Sequence, residues 1–207
     1  MPDFTRDAES PRAAKVALRT CLLAARKCLT PGALAEAAEA VQSTLNTRVR
    51  LQSPKVIAAY VPLGAEPGGR NLPEALRRAA PASALLLPVL LPDGDLDWSR
   101  YDGPESLHPG PRALLEPAGP RLGTSAIAEA DLVVVPALAV DRRGVRMGRG
   151  GGSYDRALQR VSPAAFTVAL LHDGELLDEV PAEAHDQRVR AAITPTEGLS
   201  AAPDWTK

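Results

Sequence analysis

The chain has 207 residues, of which 45% are hydrophobic and 24% are charged, and its formal net charge is −1. This balance is typical of a soluble globular domain with a substantial core, and it excludes recognition of a partner by bulk charge. We therefore expect neither nucleic acid nor a membrane as a partner.

The first half of the chain is predicted to open with two helices. The N-terminus is polar and carries no signal-peptide pattern, so we expect a cytoplasmic protein. Residues 11–29 predict a helix with Val16, Leu22 and Leu29 near one apolar stripe. Thr30 followed by Pro31 is typical of an N-cap and first helical position, and predicts a second helix to about residue 50.

Strands and helices alternate after these two helices. The patterns predict, in chain order, a buried strand over 55–62, a helix over 72–79, a strand over 84–92 broken at Pro88, and an edge strand over 96–98. A long Pro- and Gly-rich loop follows over 102–123. The second half predicts strands at 132–135, 166–171 and 191–195, a helix from about residue 154, and a loose tail after Pro195.

This alternation predicts an α/β fold, an open and mostly parallel sheet with helices on both faces, which is Rossmann-like. We expect a single domain over 1–207, with a core of about 12–195 and a loose C-terminal tail. Ligands of such folds bind outside the carboxyl ends of the strands. The loops after Tyr60, Val135 and Leu171 leave such ends, so we expect the chemistry there.

The stretch GVRMGRGGGSYDRAL, residues 144–158, combines bare backbone with positive charge. Its glycines permit positive φ angles and close approach to a ligand, and successive N–H groups can form an anion-binding nest. Arg146 and Arg149 add fixed charge, and a helix from about Tyr154 would add its positive end. These features predict a polyphosphate site, although neither a P-loop nor a dinucleotide fingerprint is present. The alternative is a flexible loop that closes over the sheet.

Asp155, three residues after Gly152, has two interpretations. A carboxylate at the mouth of an anion site suits Mg²⁺ bound to phosphates. The same residue in a first helical turn would only favour the helix dipole. Spacing alone leaves both open.

The segment PALAVDRRGVRMGRGGGSYDRAL, residues 136–158, resembles the motif of the 5-formyltetrahydrofolate cyclo-ligase (methenyltetrahydrofolate synthetase) family. The segments KVALR, YVPLGAEP, LLEP and VPAEAHDQRV agree with the family pattern in the same order, so the resemblance covers roughly residues 12–195. It implies an ATP- and Mg²⁺-dependent enzyme that converts 5-formyltetrahydrofolate, free or polyglutamylated, to 5,10-methenyltetrahydrofolate and releases ADP and phosphate. The implied route is a phosphorylated formyl group, an iminium phosphate. We expect a monomer.

The resemblance also implies the role of individual residues. It makes Arg149 and Tyr154 catalytic, and Asp155 and Asp186 the Mg²⁺ ligands. The implied ATP-binding residues are Lys15, Arg19, Arg146, Gly148, Arg149, Gly150, Gly151, Gly152, Ser153 and Tyr154. The implied substrate-binding residues are Val61, Glu66, Arg149, Gly150, Gly151, Gly152 and Ser153.

Alternatives accompany several of these roles. Lys15 and Arg19, four residues apart on one helical face, could form a solvated cationic surface, and Glu66 could be an ordinary loop acid. The chain departs from the family pattern at Ser153, which replaces the first of two adjacent tyrosines, and at Arg190, where an acid is common. These departures motivate a second hypothesis, a non-catalytic paralogue that binds folate or nucleotide.

Overall fold

The structure is a computed structural model that describes residues 11–183 and 185–202. The polar N-terminus and the end of the predicted tail lie outside the described residues. The helices are α1 (Pro11–Lys27), α2 (Pro31–Gln52), α3 (Leu72–Ala79) and α4 (Ser153–Leu158). The strands are β1 (Val56–Ala58), β2 (Ala84–Leu90), β3 (Leu96–Arg100), β4 (Leu107–Pro109), β5 (Leu115–Pro117), β6 (Leu132–Pro136), β7 (Ala139–Asp141), β8 (Arg146–Met147), β9 (Phe166–Leu170), β10 (Leu176–Leu177), β11 (Ala191–Thr194) and β12 (Gly198–Ala201).

Seven strands form the central sheet in the order β12-β11-β9-β6-β1-β2-β3. The inner five strands run parallel, and the two edge strands, β12 and β3, pair antiparallel with their neighbours. A three-stranded sheet of β10, β7 and β8 and the hairpin of β4 and β5 lie outside it. The predicted fold class, a mostly parallel sheet in an α/β fold, is confirmed.

Both faces of the central sheet are covered, because successive residues of each strand point to opposite sides. Ile57 packs with α2 and α3 in one apolar cluster, together with Leu45 and Leu76. The next residue along β1, Ala58, belongs to the cluster on the other face, which α4 and the 3₁₀ segment Thr124–Glu129 cover.

Helix α1 packs elsewhere. Its buried Leu22 lies in a third cluster with Ala139 and Met147 of the small sheet. The predicted apolar stripe of α1 is wrong, since Val16 is 54% exposed, whereas Lys15 and Arg26 are buried. Helix α1 therefore turns basic side chains inward, toward the carboxyl ends of the central strands.

Three other sequence predictions need correction. The segment 102–123 is not one loop, because β4 and β5 pair antiparallel within it. Strand β2 continues through Pro88 without a break. The carbonyl of Leu86 accepts a hydrogen bond from the N–H of Ala59, so the backbone of Leu86 faces β1. The nitrogen of Pro88, two residues later, faces the same side. The pairing with β1 has already ended there, so the strand needs no N–H donor at this position. The tail after Pro195 is not loose over its described part, because β12 pairs with β11 along four residues.

Within the ranges that the structure describes, no helix combines the length and apolar character needed to cross a membrane.

Candidate active site

A cavity of about 680 Å³ opens at the carboxyl ends of β1, β2 and β6. This volume lies within the usual range for small-molecule sites, roughly 300–1,000 Å³. Every side chain or glycine that the sequence predicted to bind a ligand or metal lines it: Lys15, Arg19, Val61, Glu66, Arg146, Gly148, Arg149, Gly150, Gly151, Gly152, Ser153, Tyr154, Asp155 and Asp186. Their individual roles stay predictions.

The glycine loop, residues 148–152, joins β8 to α4 and forms one wall of the cavity. Gly150 has φ +98° and Gly152 has φ +68°, a backbone region that side-chain-bearing residues rarely adopt. Arg19 of α1 lies against this loop: its Nε donates to the carbonyl of Gly148 at 3.1 Å. A Cβ atom on Gly150 would lie 3.3 Å from the Arg19 guanidinium carbon, so glycine permits this close packing.

Arg146 is 4% exposed and anchors the base of the loop. One terminal nitrogen donates to Asp155 Oδ1 at 2.7 Å and the other to the carbonyl of Pro136 at 3.2 Å. Its buried Nε has no hydrogen-bond partner among the described residues. Asp155, in the first turn of α4, therefore accepts a hydrogen bond from Arg146.

Lys15 contacts two carboxylates on the loop after β10. Its Nζ lies 2.6 Å from Asp186 Oδ2 and 2.8 Å from Glu183 Oε2. Burial alone would lower the pKa of Lys15, but the hydrogen bonds to Asp186 and Glu183 outweigh it and raise that pKa. The lysine is thus held charged at the cavity wall.

Glu66 lines the cavity from the loop after β1. Its Oε1 accepts from Arg149 Nε at 3.0 Å, and its Oε2 accepts from the backbone N–H of Leu63 at 2.9 Å. The side chain of Arg149 is half exposed. Tyr154 packs beneath the glycine loop and contacts the apolar clusters on both faces of the central sheet. Burial, followed by the negative charge of Glu66, raises the pKa of Tyr154 well above its ordinary value, so its hydroxyl stays protonated.

The carboxylates at this cavity have the chemistry that Mg²⁺ prefers, hard oxygen donors. Ligand atoms of Glu183, His185 and Asp186 lie within 4.8 Å of one another. Asp155 belongs to the same end of the cavity, since its Oδ1 lies 3.4 Å from the backbone nitrogen of Gln187, the residue after Asp186. These donors fit Mg²⁺, with one oxygen of Asp155 and one of Asp186 also paired with a basic side chain.

The comparisons with known proteins agree with the motifs. The model of the 5-formyltetrahydrofolate cyclo-ligase family matches residues 11–195. The chain belongs to this family. A curated cyclo-ligase of Mycolicibacterium smegmatis is 40% identical over 93% of this chain and 98% of its own length. The cyclo-ligase of Escherichia coli K12 is 27% identical over 83% of this chain and 95% of its own.

This chain is also similar to solved structures of two synthetases. The structure of Aquifex aeolicus 5,10-methenyltetrahydrofolate synthetase superposes with a TM-score of 0.78 at 26% identity, over 93% of this chain and 95% of that one. The Mycoplasma pneumoniae synthetase, 17% identical with a TM-score of 0.68 over 86% of this chain and 96% of that one, shares the fold. The resemblance predicted from the sequence, to a family of enzymes, is confirmed.

Sequence reasoning missed two cavity residues with strong contacts. Arg26 forms a two-bonded ion pair with Glu175, at 2.7 and 2.8 Å, and donates to the carbonyl of Ala137 at 2.6 Å. It follows Lys15 by 11 residues and Arg19 by seven, so helical spacing could have placed it on the same face. Glu183 carries no such signal, because only the folded loop brings it to Lys15.

Proposed function

We propose that this chain converts 5-formyltetrahydrofolate to 5,10-methenyltetrahydrofolate, consuming ATP in the presence of Mg²⁺ and releasing ADP and phosphate. The observation that carries the proposal is a single cavity that combines a glycine loop, basic side chains and Glu66, in a chain 40% identical to a curated cyclo-ligase. The glycine loop would bind the phosphates, and the loop after β1 would bind the folate.

Arg19 is the strongest candidate for direct contact with the phosphates. Lys15, Arg146 and Arg149 each form an ion pair with a carboxylate, whereas no carboxylate pairs with Arg19 in the part of the chain that the structure describes. Its guanidinium already lies against Gly150, where an anion in the loop's nest would be bound. Asp155 and Asp186 would hold Mg²⁺, which would offset the negative charge of the phosphates.

The loop after β1 suits the folate. Glu66 is an acceptor that N–H groups of a pterin ring would satisfy, and Val61 offers an apolar contact beside it. Arg149 joins the two ends, because it leaves the glycine loop and pairs with Glu66. We assign it the position where a terminal phosphoryl group would meet the formyl oxygen, with its charge stabilising the transfer.

The proposed reaction needs orientation more than proton transfer. A formyl group on nitrogen is amide-like and a poor electrophile, so phosphorylation of its oxygen creates a leaving group. Attack by N10 on the formyl carbon then closes the ring, N10 loses its proton, and the C–O bond breaks to release phosphate, which takes up that proton. Tyr154, protonated at physiological pH, could donate a hydrogen bond to a developing negative charge but could not act as a base.

The test is to mix the pure protein with 5-formyltetrahydrofolate, ATP and Mg²⁺ and to follow the absorbance of the methenyl product. Product formation that needs both ATP and active protein supports the proposal. Ligand binding by calorimetry without ADP release would favour the non-catalytic paralogue instead. Glu66→Gln is the matched variant: it should weaken folate binding more than ATP binding, because the glutamine keeps the shape of the side chain but loses the charge that faces the folate.

A further inference from the structure

Ser153, where this chain departs from its family's motif, does not direct its hydroxyl hydrogen into the cavity. The Ser153 Oγ donates to the carbonyl of Gly94, at 2.5 Å, in the turn between β2 and β3. A serine hydroxyl has one hydrogen to donate, and phosphate oxygens only accept. While it bonds to Gly94, the side chain of Ser153 has no donor left for a phosphate.

Arg156, one helical turn after Ser153, also donates a hydrogen bond to Gly94. Its NH2 group donates to the carbonyl of Gly94 at 2.6 Å, and lies 3.5 Å from the carbonyl of Gly151. Cβ atoms built on Gly94 and Gly152 would lie 3.1 and 3.0 Å from the two terminal nitrogens of this guanidinium. The guanidinium is therefore packed between the β2–β3 turn and the glycine loop, and both glycines make room for it.

A partly buried ion pair fixes the turn itself. Arg160 donates to both carboxylate oxygens of Asp95, at 3.0 and 2.6 Å, and Asp95 is 9% exposed. Gly94, with φ +82°, keeps the turn tight. Hydrogen bonding by Arg160 lowers the pKa of Asp95, so the carboxylate stays charged at physiological pH.

We infer that the β2–β3 turn, residues 93–95, positions the glycine loop for nucleotide binding, and that Ser153 acts in this chain as a positioning residue through Gly94. A loop of glycines has high conformational entropy, so holding it in one conformation before ATP arrives removes part of the cost of binding. The effect on ATP rests on the proposed function, whereas the ordering of the loop does not. Three side chains, Ser153, Arg156 and Arg160, carry the connection.

The test compares Ser153→Ala with Ser153→Thr, which keeps the hydroxyl. Ser83→Ala is the matched control, because Ser83 Oγ also donates to a backbone carbonyl at 2.5 Å, that of Pro54, but before the amino end of β2, away from the cavity. Amide hydrogen exchange is measured without ligand over residues 148–153, and the dissociation constant of Mg·ATP is measured by calorimetry.

We expect Ser153→Ala to speed exchange in the loop and to weaken ATP binding by about three- to tenfold, the effect of one lost hydrogen bond. Ser83→Ala should match the wild type in both measurements, and Ser153→Thr, which keeps the hydroxyl, should lie closer to the wild type than Ser153→Ala in both. Unchanged amide exchange over residues 148–153 in Ser153→Ala would overturn the inference that the β2–β3 turn orders the glycine loop. Faster exchange with unchanged ATP affinity would overturn its role in binding. A wild-type protein that binds no ATP would refute the proposed function instead, and the exchange data would still decide whether the turn orders the loop.

Discussion

Replacing Arg26 by methionine is the perturbation whose energetic cost follows most directly from the structure. Arg26 and Glu175 have side chains that are 4% and 6% exposed, and two hydrogen bonds of 2.7 and 2.8 Å join them. Methionine preserves most of the apolar volume of arginine but leaves the carboxylate of Glu175 buried without its counter-charge. The carbonyl of Ala137 loses its donor as well.

Breaking a buried pair by removing one partner typically costs about 3–5 kcal/mol. In a chain of this size, about 1 kcal/mol corresponds to a change of roughly 2–4 °C in melting temperature. We therefore expect Arg26→Met to lower the melting temperature by about 6–20 °C. The variant Arg26→Met/Glu175→Gln should recover a large part of this loss, because the neutral amide oxygen can still accept from the backbone of His172, which donates to Glu175 at 2.7 Å.

The assay is thermal and urea unfolding of the wild type, both single variants and the double variant at neutral pH, with the midpoint and slope of each urea curve fitted together. A loss of less than about 1 kcal/mol in Arg26→Met would refute the reasoning, since it would mean that Glu175 is not held as a buried charge. A double variant no more stable than Arg26→Met would also contradict it.

Two other predictions concern the β2–β3 turn and the loop after β1 that carries Glu66. The hydrogen bonds from Arg160 lower the pKa of Asp95 below its ordinary 3.8, so the pair stabilises the fold above that pH and loses its contribution as the pH falls through the lowered pKa. The difference in unfolding free energy between the wild type and Asp95→Asn should shrink from about pH 7 to about pH 3, and a constant difference would contradict this. His172 Nε2 lies 2.9 Å from the carbonyl of Ala65, to which it must donate, and so supports the loop that carries Glu66. His172→Ala should raise the KM for folate about fivefold with the KM for ATP unchanged, His172→Gln should largely restore it, and equal rises in both constants would argue against this role.

Local signals in the sequence were sufficient for much of the fold. Thr30 caps α2 as predicted, with its hydroxyl oxygen accepting from the N–H of Ala33 at 3.2 Å, because capping depends only on neighbours in the chain. The apolar stripe of α1 could not be predicted in the same way. That helix packs on a polar cavity and a small outer sheet, so Lys15 is buried and Val16 is exposed. Strand β12 depends on long-range pairing with β11, for which the tail itself carries no pattern.

In the candidate site, too, the sequence could predict the local features but not the long-range contacts. The glycine loop is a contiguous motif, so its residues and their anion-binding character could be read from the sequence. The partners of its side chains could not. The pairs Lys15–Glu183 and Arg149–Glu66 join residues 168 and 83 positions apart, and only the topology of the sheet brings them together. The contact of Ser153 with Gly94 crosses 59 positions and gives the departure from the motif a physical role.

The most direct test of the account is the fate of the formyl oxygen. The protein would be incubated with Mg·ATP and 5-formyltetrahydrofolate labelled with ¹⁸O in the formyl group, and the released phosphate would be analysed by mass spectrometry. Direct transfer of the terminal phosphoryl group to that oxygen predicts one ¹⁸O atom in each phosphate released with the methenyl product. Unlabelled phosphate formed in step with product would contradict the proposed meeting of the two ligands at Arg149.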